Sequence, residues 1–301
     1  GARFTPRSRA SAPKLRPQAS PLNYRHAYHA GSFADVVKHA ALALIIAHLK
    51  TKPAPFVGID THAGRGRYDL DAPDALKTGE AARGILALLA LARPPAALSP
   101  YLAAVRRQNP GGGKIRVYPG SPKIARALLR PRDRLVCVEL HPQESLALAR
   151  AFAGDRQVEV READGWQVLR ALLPPPERRG VVLIDPSFEA KDEFARLVRA
   201  LGDAYRRWAT GIYLLWYPIK EGAPVADFLD RLAASGIRRI LVASRDLGAA
   251  GTGSRLRGAG LVIVNPPWHL GETLGSLLAE LGPIFAPGAP VHAEVRELVA
   301  E

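Results

Sequence analysis

The chain has 301 residues, 48% hydrophobic and 23% charged, with a mean hydropathy of −0.03, which excludes a wholly disordered chain and a helical membrane protein. That length suits one large α/β domain with an insertion, or two ordinary domains. Lys and Arg total 42 against 28 Asp and Glu, a net charge of +14, so the expected partner is a polyanion, nucleic acid first; a solvated arginine-rich face is the plainer alternative.

Residues 1–22 hold Arg3, Arg7, Arg9, Lys14 and Arg16 among prolines, with no acid, and read as a disordered basic arm. The arm lacks the apolar stretch of a secretory signal, although its Arg- and Ser-rich composition is also that of organellar transit peptides. From Ser32 to Lys50, Val37, Ala41, Leu44, Ile45 and Leu49 recur at helical spacing, with Lys38 and His39 near the start. A short buried strand, Pro55–Asp60, runs into the Gly-bearing turn Thr61–Gly66. Helical segments at Thr78–Ala92 and Leu98–Gln108, closed by Pro110–Gly113, predict a helical insertion over about 70–113. Pro119-Gly120-Ser121-Pro122 opens a further helix, Ser121–Leu129, because proline is tolerated in a first turn.

Beyond it strands and helices alternate. The strands are Arg134–Glu139, Val158–Arg161, Gly180–Asp185 and Gly211–Tyr217, and the helices Pro142–Phe152, Gly165–Leu173, Asp192–Trp208 and Pro224–Ser235. Strands Arg238–Ala243 and Gly260–Asn265 follow with only a Gly-rich stretch between them, so they are expected to form a terminal antiparallel hairpin. The pattern predicts a doubly wound, mostly parallel, seven-stranded sheet. The single cysteine, Cys137, lies in an apolar strand, which excludes an intramolecular disulfide and a Cys-rich zinc module and favours a reducing, cytoplasmic setting.

In such sheets ligands bind outside the carboxyl ends of the strands, so the residues that end each strand carry the chemistry. Asp60, Glu139, Asp164 and Asp185 all fall there. Glu139 is placed for ribose hydroxyls and Asp164-Gly165 for an adenine amino group; any one acid alone reads equally as a helix cap. A nicotinamide cofactor needs a pyrophosphate cradle with a third glycine, which Gly64-Arg65-Gly66-Arg67-Tyr68-Asp69 lacks. S-adenosylmethionine needs only a close backbone approach, which Gly64 and Gly66 allow. His39 and His62 are further candidates to face the cofactor, and the histidine spacing predicts no metal site.

The fourth strand ends in Asp185-Pro186-Ser187-Phe188. A carboxylate and a backbone carbonyl that accept both N–H groups of a base amine free its conjugated lone pair for methyl transfer. An aromatic ring such as Phe188 can stack on an extruded base. Asn265-Pro266-Pro267-Trp268 matches the same amine-methylation pattern better by its letters, but it follows the seventh strand. Asp185 is therefore preferred, and Asn265–Trp268 is expected to be a proline-stiffened turn with Trp268 in the core.

In order along the chain, Asn23–Gly31, Asp35–His39, Asp60–Tyr68, Tyr118–Pro122, Glu139–Pro142, Ala163–Gly165, Leu183–Pro186 and Asn265–Trp268 together resemble the bacterial 23S ribosomal RNA adenine-N6 methyltransferase J family, over essentially residues 22–301. The resemblance implies a Rossmann-like class I methyltransferase that uses S-adenosylmethionine on one adenine of 23S rRNA. No apolar run approaches the ~20 residues needed to span a bilayer, so no membrane association is expected, and no obligate protein partner is predicted. The resemblance places cofactor contacts at His39, His62, Ser121, Glu139 and Asp164-Gly165, the catalytic acceptor at Asp185, and a substrate-contacting aromatic at Tyr24. Ser187 stands where that family usually has a second proline. The competing readings are an amine methyltransferase acting on DNA adenine or protein glutamine, and a non-catalytic nucleic-acid-binding relative.

Overall fold

Short apolar strands alternating with amphipathic helices build the architecture seen in a computed structural model, which describes residues 26–248, 256–288 and 292–301. The basic arm and Tyr24 lie outside the described residues. The first long helix, α1 (Phe33–Leu49), is capped by Ser32, whose hydroxyl accepts from the Asp35 amide. Strand β1 (Val57–Asp60) follows, and then a small two-stranded sheet of β2 (Arg67–Asp69) and β3 (Val117–Pro119). Between those two strands lie α2 (Pro73–Thr78), α3 (Glu80–Arg83), α4 (Ile85–Leu89) and α5 (Ser99–Arg107).

The remainder runs α6 (Ser121–Leu128), β4 (Arg134–Glu139), α7 (Pro142–Ala151), β5 (Val158–Glu162), α8 (Gly165–Leu172), β6 (Gly180–Ile184) and α9 (Glu193–Arg207). After these come β7 (Ile212–Lys220), α10 (Val225–Ala233), β8 (Ile240–Asp246), β9 (Leu256–Val264), α11 (Leu270–Phe285) and β10 (His292–Val299).

The main sheet has the order β10-β8-β9-β7-β6-β1-β4-β5. The strands from β5 through β4, β1 and β6 to β7 pair in parallel, while β9 is antiparallel to both β7 and β8. The expected hairpin of the last two strands is therefore present, with β9 inserted between β7 and β8. The sheet has eight strands rather than seven. The extra one, β10, pairs antiparallel with β8 on the outer edge, and its largely exposed residues give it no apolar alternation to read.

Alternate residues of the central strands feed two cores. Leu135, Cys137, Val181 and Leu183 belong to the core on the side of α1 and α6, while Val136, Val138, Val182 and Ile184 belong to the core on the side of α8 and α9. Strand β6 is buried on both faces, which is why its sequence is an unbroken apolar run. The helix expected over Thr78–Ala92 is instead broken into α3 and α4, and α2 ends at the residue where that helix was expected to begin. Gly79 adopts a left-handed φ of 62°, and at Gly84 any Cβ would strike the Gly31 carbonyl, so α1 and this segment meet backbone to backbone.

Candidate active site

Parallel pairing sets the strand ends side by side: Asp60 pairs with Leu183 and Cys137, and Glu139 with Glu162. Asp60, Glu139, Asp164 and Asp185 therefore share the carboxyl rim of the sheet, with Asp185 one residue past β6. The arrangement follows from the topology, not from local propensity.

A cavity of about 360 Å³ opens at this rim, lined by Asp185, Ser187, Phe188, Lys38, Asp35 and Trp216, among others. Lys38 projects from α1 with its Nζ 2.5 Å from Asp185 Oδ2 and 2.9 Å from Asp35 Oδ1. Burial opposes the Lys38 charge, but Asp185 and Asp35 outweigh it and raise its pKa above the usual lysine range. Asp35 is buried as well; it also accepts from the Gly31 amide at 3.0 Å and lies 3.0 Å from His26 Nε2. Burial alone would raise the Asp35 pKa, but His26, Lys38 and His39 hold it well below the carboxylate range. A buried carboxylate thus anchors the lysine that fixes the Asp185 side chain. Breaking such a group by removing one partner costs several kcal/mol, because a charge is left buried alone.

Phe188 is 8% exposed and sits at a left-handed φ of 54°, uncommon for an aromatic residue. Its ring packs 4.7 Å from Phe194 and edge-on to Trp216 at 5.7 Å, so core packing holds the unfavourable backbone in place. Pro186 is buried beside it.

The other half of the rim carries the residues expected to bind the cofactor. Gly64 and Gly66 have φ of 59° and 75°, and at Gly64 a Cβ would strike the Tyr68 hydroxyl, so the turn demands glycine. Glu139 holds this turn: one carboxylate oxygen accepts from the Gly64 amide and the other from the His141 amide, each at 2.7 Å. Burial raises the Glu139 pKa against the pull of those amides. Asp164 caps α8, accepting from the Trp166 amide at 2.9 Å, and at Gly165 a Cβ would strike the Thr61 carbonyl. His62 lies 2.8 Å from the Thr61 hydroxyl and edge-on to Trp166, and burial together with the Arg196 charge lowers its pKa to about 3. It is neutral.

Asp60 is 3% exposed and its Oδ2 has no hydrogen-bond partner among the described residues. Burial first, and the charge of Asp185, raise its pKa to about 7, against the pull of the nearby Ser121 hydroxyl and the His62 amide. His39 is 1% exposed, with Nδ1 2.7 Å from the Tyr118 hydroxyl and Nε2 without a hydrogen-bond partner, 4.0 Å from Asp35 Oδ1. Burial, with the Lys38 charge, holds its pKa well below the histidine range. Orphaned buried polar atoms are rare in native proteins; His39 is one of the residues expected to meet a cofactor, and Asp60 ends a strand on the same rim.

The Asn265–Trp268 segment is remote from this chemistry. β9 runs against β7, with Tyr213 opposite Val264, so Asn265 emerges at the amino rim of the parallel strands. The segment is a turn as expected, but Trp268 is 81% exposed rather than in the core. The Asn265 amide donates to the Ala209 and Gly211 carbonyls and commits the backbone to a course that turns the indole outward. Near the predicted insertion, Arg107 donates to the Ala127 carbonyl, and Lys114 and Arg116 pair with Asp71. Among the described residues no group of three His, Cys, Asp or Glu side chains is placed to hold a metal ion.

Sequence reasoning noted Asp35 and Lys38 within a motif but gave them no role, and it did not single out Trp216. The first two are one helical turn apart on α1, so an acid and a base spaced by three residues at the start of an otherwise apolar helix was the available signal. His26 and His29 do have acid partners, Asp35 and Glu80, but tertiary contacts rather than helical spacing supply them.

A family model described as ribosomal RNA large subunit methyltransferase D, RlmJ, matches residues 53–292. The chain is 41% identical to ribosomal RNA large subunit methyltransferase J of Escherichia coli (strain K12), over 93% of this chain and 100% of that one. It is 40% identical to the protein of that name from Haemophilus influenzae, over 88% and 95% of the two chains. The crystal structure of LPL1258 from Legionella pneumophila superposes with a TM-score of 0.83 at 34% identity, covering 89% of this chain and 98% of that one. With this much of its length matched by sequence and by fold, the chain belongs to the RlmJ family of ribosomal RNA large subunit methyltransferases.

Proposed function

We propose that the protein methylates the N6 amine of an adenine in 23S rRNA, in the cytoplasm, on naked or incompletely assembled rRNA. The observation that carries this reading is the Asp185 carboxylate, fixed by Lys38 at the mouth of the cavity and followed by Pro186 and Phe188. S-adenosylmethionine, when bound, supplies an electrophilic methyl group. The residues that would hold it are His62, Gly64, Gly66, Ser121, Glu139, Asp164 and Gly165, with Asp185 at the reacting end. Their chemistry fits the group: a glycine turn for close approach, carboxylates for ribose and amine, and unpartnered buried atoms at Asp60 and His39.

On the substrate side, Asp185 and the Pro186 carbonyl offer acceptors to both N–H groups of a base amine. Phe188 offers the ring against which an extruded base stacks, and we include Tyr24 as a second aromatic contact. Lys38 keeps the Asp185 carboxylate in one orientation, so the acceptor is in place before the base arrives. A net charge of +14 favours RNA over a protein side chain as substrate.

The test is transfer of labelled methyl from S-adenosylmethionine to protein-free 23S rRNA, with nucleoside analysis of the digest. N6-methyladenosine is expected, and Asp185→Ala abolishes it while cofactor affinity stays within a few-fold. Label released by DNase or confined to protein refutes the RNA reading, and full activity of the variant refutes the role of Asp185.

A further inference from the structure

The two rims of the sheet differ in charge. At the carboxyl rim stand the acids of the active site. At the amino rim, exposed basic side chains precede one strand after another: Arg156 before β5, Arg132 before β4, Lys52 before β1, Arg178 before β6, Arg207 before β7 and Arg238 before β8. None of them has a carboxylate partner among the described residues. The register aligns these strand starts, with Val57 between Arg134 and Gly180, Val181 beside Ile212, and Val264 beside both Tyr213 and Ile240. At a strand spacing of about 4.8 Å, the row from β5 to β8 is about 29 Å long. Acids on this rim are already engaged, Glu177 by Arg134, Asp203 by Arg206 and Glu301 by Arg239.

Within that row stands Trp268, 81% exposed. Asn265 and His269, at left-handed φ of 53° and 61°, bracket its turn, and two hydrogen bonds of 2.8 and 2.7 Å from Asn265 pin it beside the segment that follows Arg207. Favourable interaction with helix dipoles does not account for the row. That effect fades within the last turn of a helix, and of the six residues only Arg207 lies in one. Nor does it explain an outward-facing indole.

We propose that the amino rim is a second RNA-contacting surface, on which Arg178, Arg207 and Arg238 take phosphates and Trp268 stacks on an unpaired base. The inference rests on RNA being the substrate and adds a surface remote from the chemistry, separated from the catalytic rim by the five residues of β6, about 17 Å. Arginine rows neutralise backbone charge without reading sequence, and an exposed aromatic ring accepts any base face. A large rRNA substrate held at both rims leaves less of the binding to the catalytic cavity.

The test is equilibrium binding of the full chain to a labelled protein-free 23S rRNA fragment across a salt series. It compares wild type with W268A and with the triple variant R178E/R207E/R238E. The triple variant is expected to bind at least tenfold more weakly, with a salt slope shallower by about 0.7–0.9 for each phosphate it no longer neutralises. W268A weakens binding several-fold at unchanged slope, and S-adenosylmethionine affinity is unchanged in both, which certifies the fold. Variants that bind RNA as wild type does overturn the second surface and leave the proposed function standing. Wild type that neither binds nor methylates rRNA overturns both. Dissociation of a dimer by W268A in sedimentation, with RNA affinity unchanged, makes the rim an interface between copies and also overturns the proposal.

Discussion

Replacing Asp60 by asparagine tests whether the active site stores instability for its ligand. The carboxyl ionises near 3.8 in the unfolded chain and near 7 in the folded protein, where burial and Asp185 disfavour its charge. The folded state therefore holds a proton that the unfolded state has lost. The stabilisation this gives is complete below about 3.8 and disappears as pH rises through 7. The interval of about 3.2 pH units, 7 less 3.8, corresponds to about 4 kcal/mol as an upper bound. The asparagine amide carries no such charge, and its oxygen can still accept from the His62 amide. In urea unfolding without cofactor, Asp60→Asn should match wild type near pH 4 and exceed it by about 2–4 kcal/mol near pH 8. If the proposed cofactor site is right and the unpartnered Asp60 oxygen meets a cationic group of S-adenosylmethionine, the same variant should bind it at least tenfold more weakly at pH 8. A difference in stability that does not change between pH 4 and pH 8 refutes the argument, because it would show that Asp60 is not a buried charge awaiting a partner.

Lys38→Met leaves Asp35 and Asp185 facing each other without their cation, and is expected to cost about 3–5 kcal/mol in urea unfolding, with partial recovery when Asp35→Asn is added. Gly64→Ala forces a left-handed φ of 59° on a residue whose Cβ meets the Tyr68 hydroxyl. A loss of about 1–2 kcal/mol is expected in thermal unfolding, with weaker cofactor binding by calorimetry, and Tyr68→Phe should relieve the steric part alone. Glu139→Gln exchanges a carboxylate that accepts two amides for a group with one accepting oxygen. Cofactor affinity should fall about tenfold, and stability in urea unfolding by about 1–2 kcal/mol, because one backbone amide loses its acceptor.

The parallel half of the sheet was readable because each strand is a short apolar run bounded by helices with clear periodicity, so Asp60, Glu139, Asp164 and Asp185 fell on one rim by topology alone. The small pair β2–β3 was not readable, since three residues carry no period. The apolar series Leu270, Leu274, Leu277, Leu278 and Leu281 of α11 is interrupted by Gly271, Gly275, Gly282 and Pro283, residues that read as loop although packing against the sheet keeps them helical. Trp268 was misplaced because hydrophobicity predicts burial, whereas the direction of a turn is set by backbone bonds such as those of Asn265. Of the site, the ends of the strands were legible and the back wall was not. The spacing of Asp35 and Lys38 on α1 was a local signal, but the contact of Lys38 with Asp185, 147 residues away, and the position of Trp216 are tertiary and no local pattern encodes them.

The left-handed backbone at Phe188 also bears on which partner does the adjusting. A ring wedged between Phe194 and Trp216, on a backbone that packing holds against its own preference, has little freedom left to follow an incoming base. Under the proposed function the loop presents one fixed platform, so the work of leaving the helical stack, a few kcal/mol, falls on the nucleic acid. On that proposal, discrimination among adenines would depend on how readily each can swing out of its own surroundings, and a flexible loop or a mismatched neighbour in the RNA would be as much a determinant of the modified position as any side chain of the protein.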